Sequence, residues 1–295
     1  MVEWTRRLLR PVTPLLSSRQ RRWRRLLSSL DFDPSDVPGT LEAPGARDFI
    51  ICGCPRTGTS LLSAQLFQPP SVITVMEPWD GLRMPPAELL RSLRSEIEGG
   101  ALSRGRLDVD ALREEDRVDW HGEGAKRVTL EADADFRLGV KWPAFWRYLD
   151  LLPDTQFLVC LRDPVETVAS FKNSGARLAE GLDYDAAFNR EMNAYLVETT
   201  RDVELRRVLL YEYINSRILA EIDRPNVLVV RYERWFQDAN GLLSEISDFL
   251  RTPFSSWPVR IRPPDSSDSG LSARELGLIR EHCRSGVALG YQSMS

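Results

Sequence analysis

Asp48-Phe49-Ile50-Ile51-Cys52-Gly53-Cys54-Pro55-Arg56-Thr57-Gly58-Thr59-Ser60-Leu61-Leu62 is the stretch whose reading decides the fold. Phe49 to Cys52 is a short apolar run of the kind that forms a buried strand, and an apolar helix is predicted from Leu61. Between them, Gly53, four residues, Gly58 and then Thr59-Ser60 give the spacing of a phosphate-binding loop. Glycines let the chain turn tightly, so that several backbone N–H groups and a helix N-terminus converge on an anion. A strand-to-helix turn with no ligand is the plain alternative. One detail departs from the nucleotide-triphosphate version of the loop. Where that motif has Lys and then Ser/Thr, this chain has Thr59-Ser60, and its cation stands three residues earlier, at Arg56.

The departure separates two chemistries. Phosphoryl transfer from a triphosphate needs Mg²⁺, and with it the lysine and a carboxylate after an apolar strand. A sulfuryl group carries less charge and can be transferred with arginine and backbone donors alone. Pro55-Arg56-Thr57-Gly58-Thr59-Ser60 resembles the 5′-phosphosulfate loop of the sulfotransferases that use 3′-phosphoadenosine 5′-phosphosulfate (PAPS). The resemblance implies PAPS as co-substrate, with Arg56, Thr57, Gly58, Thr59 and Ser60 around its 5′ end.

Outward from the loop, apolar runs at 71–76, 138–141, 156–161 and 226–231 read as further strands. Helices are predicted over 83–98, 144–152, 184–222 (as two), 241–250 and 272–285. Alternating strands and helices with near-continuous apolar strands predict an α/β fold: three αβα layers, P-loop-like, with a mostly parallel central sheet. Ligands of such sheets bind at the C-terminal strand edge, where every motif named here falls.

Arg162 leaves one of these strands, Asp163-Pro164 can cap and open a helix, and Ser170 lies about two turns along it. Arg162 and Ser170 could therefore reach one phosphate, though an Arg before Asp-Pro is also a common solvated cap partner. The block resembles the family's 3′-phosphate motif. Glu77, at the end of 71–76, is placed to deprotonate an acceptor hydroxyl; its bland reading is an acid at a Glu-Pro turn. Met76-Glu77-Pro78 resembles the segment of carbohydrate and related sulfotransferases in which Glu is the proposed base. Trp79 is either a sugar or aryl platform or a packing residue. Only three of the 39 basic residues are lysines (126, 141 and 172), so lysine is rarely spent here on surface charge. Gly139-Val140-Lys141-Trp142-Pro143 resembles the family's Lys-x-Pro element, which implies that Lys141 answers charge on the transferring group or leaving phosphate; a solvated strand end is the alternative. Tyr232, in Val230-Arg231-Tyr232-Glu233-Arg234, is implied to touch the nucleoside. The resemblance covers about 47–292. It implies a catalytic set of Glu77, Lys141 and Arg56 transferring sulfuryl to a carbohydrate or small-molecule acceptor.

The chain is 295 residues long with net charge −4, unevenly placed: residues 1–30 hold eight arginines against Glu3 alone. Residues 1–46 therefore read as an Arg-rich arm and Pro-rich linker before a single α/β domain over 47–295, with an acidic insertion at about 99–136 that could serve as a lid. The arm could lie on an anionic membrane, bind a partner, or direct the chain to an organelle; a solvated arm or a helix packed on the domain is the plain alternative. Globally acidic sequence argues against a nucleic-acid partner. Cys52, Cys54, Cys160 and Cys283 lack zinc spacing and read as buried reduced thiols, which favours the cytoplasm. His121 and His282 have no nucleophile partner, and no carboxylate–imidazole cluster has metal spacing, so the expected enzyme is metal-independent. A nucleotide kinase-like phosphotransferase and a non-catalytic nucleotide-binding module are the alternatives.

Overall fold

The computed structural model describes residues 45, 47–82, 84–102, 128–174, 176–184, 189–254, 256–257 and 269–291. Five strands form its central sheet: β1 (Asp48–Gly53), β2 (Val72–Met76), β5 (Arg137–Lys141), β6 (Gln156–Leu161) and β7 (Val227–Arg231). Their order is β2-β5-β1-β6-β7 and every pairing is parallel. The α/β class and parallel sheet expected from the sequence are those observed.

Alternation along the strands builds the layers. Phe49 and Ile51 of β1 join Leu158 and Cys160 in a core with Leu62 and Leu66 of α1 (Thr59–Leu66) and Leu242 and Ile246 of a later helix, α7 (Ala239–Leu250). Ile50 and Cys52 face the other way, into a larger core shared with α2 (Pro86–Glu98), α3 (Pro164–Lys172), α4 (Arg190–Thr199), α5 (Val203–Leu219) and α8 (Ala273–His282). Because side chains alternate across a strand and both faces are covered, the strands read as unbroken apolar runs rather than alternating ones. The short α6 (Arg234–Gln237) and α9 (Arg284–Ala288) complete the helices described.

Two expectations are corrected. Residues 144–152 do not form an amphipathic α-helix; Pro143–Tyr148 is a 3₁₀ turn with all but Arg147 buried, packed on β1. In that geometry residues three apart stack in register, which sets Phe145 and Tyr148 edge to face at 5.3 Å. The last helix does not run unbroken to Ser285: α8 ends at His282, and buried Cys283 turns the chain into α9. The insertion opens and closes on a short antiparallel pair, β3 (Ala101–Leu102) with β4 (Val128–Thr129). Its acidic body at 103–127, like the arm at 1–44, lies outside the described residues.

Candidate active site

The register places the expected residues in a row. Met76 pairs with Lys141, Lys141 with Ile51, Gly53 with Cys160, and Leu161 with Arg231. Along the C-terminal edge of the sheet the order is therefore Glu77, Lys141, the 53–58 loop, Arg162 and Tyr232. With neighbouring strands about 4.8 Å apart, the row spans roughly 19 Å. The loop follows the middle strand, where connections leave toward both sides of the sheet, the place at which such folds bind ligands.

The loop is held by its own backbone. Gly53 has φ 144° and Gly58 φ 96°. A Cβ on Gly58 would also lie 2.7 Å from the Tyr232 ring, so both the turn and the close approach of that ring require glycine. Thr57 is turned inward, giving its Oγ1–H to Cys54 O at 2.7 Å and its N–H to the same oxygen at 3.3 Å. It shapes the loop, with both donors spent there. Gly58 is the N-cap of α1 and brings no side-chain cap, so the N–H groups of the first turn, through Thr59 and Ser60, are left for an external acceptor.

On one side of the loop stand four expected residues. Arg56 has φ 72°, and its Nε–H donates to Ser170 Oγ at 2.9 Å. The Arg162 guanidinium lies 4.3 Å over the Tyr232 ring, reaches Arg56 O at 3.4 Å and pairs with Glu166 at 3.1 Å. Arg56, Arg162, Ser170 and Tyr232 thus form one cluster, and Arg56 serves the Arg162 side of the loop as well as the loop itself. Asp163 caps α3 as expected, accepting from Val165 N at 2.8 Å. Glu233 fixes the cap from behind, accepting the Asp163 N–H at 2.8 Å and the Tyr291 hydroxyl at 3.3 Å.

On the other side, Lys141 and Glu77 form an ion pair, with the two residues only 2% and 8% exposed. The Glu77 N–H donates to Lys141 O at 2.7 Å, continuing the β2–β5 ladder by one bond. Glu77 itself has φ 46°, an uncommon conformation for a residue with a Cβ. Trp142 Nε1–H donates to Pro78 O at 2.9 Å and locks the turn. The side chain of Trp79 lies outside the described residues.

One buried acid was not singled out by sequence. Asp183 is 2% exposed. Burial pushes its carboxyl up to about 6; the charge of Glu77 adds to the rise, while the Tyr184 N–H and the guanidiniums of Arg147 and Arg177 oppose it. Its position in Gly181-Leu182-Asp183-Tyr184, between helices, carries no motif, and only the folded chain brings it near Glu77. The four cysteines are free and buried, and burial pushes all four thiols up. Among the described residues no group of three His, Cys, Asp or Glu side chains could hold a metal ion, and no helix is long and apolar enough to cross a membrane.

Comparison with known proteins gives a family. The profile described as "Sulfotransferase family" matches residues 48–256. No curated protein matches the chain. Among solved structures it is similar to a sulfotransferase from Alicyclobacillus acidocaldarius, with 16% identity over 84% of this chain and 94% of that one, at a TM-score of 0.42. It is similar also to sulfotransferase STF9 from Mycobacterium avium, with 17% identity over 84% and 70% of the two chains, at a TM-score of 0.39. Mouse sulfotransferase SULT7A1, solved in complex with PAP, gives 12% identity over 88% and 68%, at 0.33. The profile spans well over half of the chain, from the first strand past the last, and the protein belongs to the sulfotransferase family.

Proposed function

We propose that the protein transfers a sulfuryl group from PAPS to a hydroxyl of a carbohydrate or small-molecule acceptor, without a metal. The observation that supports this reading is the order of groups along the sheet edge. An anion loop stands in the middle, two guanidiniums and a serine on one side, a buried carboxylate–ammonium pair on the other. A donor that is anionic at both ends of its ribose suits the first two, and an acceptor hydroxyl suits the third. Arg162, Ser170 and Arg56 bind the 3′-phosphate, Tyr232 lies on the nucleoside side, and the first-turn N–H groups at Thr59 and Ser60 hold the 5′-phosphate.

Glu77 takes the acceptor's proton as its oxygen attacks sulfur. Lys141 neutralises Glu77 at rest in a nearly dry pocket, and the same ammonium is beside the charge that grows on the leaving phosphate. Arg56 and the loop amides stabilise the transferring group. Little covalent chemistry falls to the protein, so the rate comes from positioning and from dipoles already aimed at the developing charge. The cytoplasm and a contact of the arginine-rich arm with an anionic surface belong to the same proposal.

The test uses sulfur-labelled PAPS against a metabolite extract, with calorimetry on adenosine 3′,5′-bisphosphate beside it. Glu77→Gln is expected to keep the bisphosphate affinity while turnover falls roughly a hundredfold or more. Transfer at the parent rate by that variant removes Glu77 as the base. Absence of transfer by the parent chain with any acceptor leaves a binding module instead.

A further inference from the structure

Asp183 is an acid in a place where an acid costs the fold something. It is buried, yet among the described residues it makes no ion pair: its Oδ1 accepts only the Tyr184 N–H, at 2.7 Å. An asparagine could accept that bond equally well and would bury no charge. The surroundings are nevertheless built to hold this residue still. Asn193 accepts the Asp183 N–H at 3.0 Å and donates to Asp183 O at 3.2 Å. Asn189 donates to Tyr184 O at 3.1 Å and is itself held by Arg147 at 3.0 Å. The Tyr184 ring meets Trp142 edge-on at 6.4 Å. Trp142 in turn follows Lys141 directly and bonds Pro78 O, next to Glu77. Through Tyr184 and Trp142 the segment that carries Asp183 is therefore packed against the turn that carries Glu77 and the strand end that carries Lys141.

We propose that Asp183 is a positioning residue acting through Glu77: a fixed, buried negative charge that repels the Glu77 carboxylate onto Lys141 and keeps it in the orientation from which it meets the acceptor. The inference rests on the reading of Glu77 as the base. The titratable and charged groups whose fields reach Asp183 are Glu77 from the turn after β2, Arg147 from the 143–148 turn, Arg177 from the 176–180 turn, and the thiol of Cys54 in the loop. The thiol is neutral because burial disfavours its charged form, and the two guanidiniums act at a distance without a salt bridge to it. The charges of Asp183 and Glu77 act on each other, and Lys141 pairs with Glu77, so repulsion by one neighbour and attraction by the other both bear on the Glu77 carboxylate.

A residue kept for its charge trades stability for rate, and the trade is measurable. For Asp183→Asn, kcat is expected to fall roughly tenfold or more at pH 8, while affinity for adenosine 3′,5′-bisphosphate is unchanged. Its melting temperature should rise above the parent's at pH 8. The sign follows from a folded-state pKa of about 6 against an ordinary 3.8: the folded parent is penalised once the group ionises, and the penalty fades as pH falls from 6 toward 4. The advantage of the variant should fade over the same window, and a rise in parent activity centred near pH 6 should vanish in it. Asp183→Ser, which removes the charge without adding an amide donor, should behave alike and decides the matter if the asparagine variant does not fold. Unchanged kcat in a folded variant overturns the proposal, as does loss of activity and stability together at pH 8, which marks a structural acid. A parent chain that transfers nothing instead fails the underlying assignment of Glu77, and the melting curves alone then report on the cost of the buried charge.

Discussion

Arg162 shows how one side chain can be held ready without being used up. Its guanidinium is planar, so it stacks on Tyr232 through its face while its edges meet Glu166 and Arg56 O. Arg162→Ala is expected to weaken adenosine 3′,5′-bisphosphate binding roughly tenfold to hundredfold, the worth of a charge-assisted hydrogen bond or two, with melting little changed. Arg162→Lys should recover only part of this, because an ammonium has neither the fork nor the stacking face. Unchanged affinity in calorimetry removes Arg162 from the site. Individual residues were legible in the sequence where a backbone constraint or a rare residue type singled them out. Gly58 is one case, fixed by φ and by the Tyr232 ring, and Lys141, one of three lysines, is another. The strain at Glu77 and Arg56 was not legible, since nothing in a residue's name reports a positive φ imposed by its neighbours.

Among elements, the coupling of α3, α5 and α8 bears most directly on the site, because α3 carries Ser170. Glu275 at the start of α8 is fully buried, yet it accepts from Lys172 of α3 at 2.9 Å, Arg207 of α5 at 2.7 Å and Ser272 N at 2.8 Å. Burial alone would raise its pKa, but the Ser272 N–H, Lys172 and Arg207 outweigh it and hold the carboxyl below the usual range. Its stabilising contribution is therefore present above the ordinary glutamate value and lost as pH falls through the lower folded value. Glu275→Ala strands the buried guanidinium of Arg207 and should cost about 3 kcal/mol near neutral pH, with little from the solvent-screened Lys172. For a chain of 295 residues that is roughly 5 °C in Tm, shrinking in acid; a loss that persists unchanged at low pH refutes the ionic account. Helix starts at this scale were readable from local chemistry, as with Asp163-Pro164 before α3. The Ser272…Glu275 capping box is equally local. The 3₁₀ turn at 143–148 was not, because its winding answers to aromatic packing against β1 rather than to its own spacing.

For the molecule as a whole, the proposed function requires arginine and backbone dipoles, rather than Mg²⁺, to answer the ligand's charge. Adenosine 3′,5′-bisphosphate at a hundredfold excess over its Kd should stabilise the chain by about 2.7 kcal/mol. ATP with Mg²⁺ should give a smaller shift, no larger than ATP alone, and the bisphosphate shift should shrink with added salt. A larger, magnesium-dependent shift with ATP would favour the phosphotransferase alternative. The sequence by itself determined the layers and the motif loop. Periodicity and glycine spacing are local properties, and strands buried on both faces can hardly be written otherwise than as apolar runs. Only the tertiary structure decided that the order β2-β5-β1-β6-β7 sets Glu77 against Lys141, that Arg56 meets Ser170, and that Asp183 is buried. Those pairings join residues far apart in the chain, and which strand lies beside which is a choice made by packing, not by any stretch of sequence read alone.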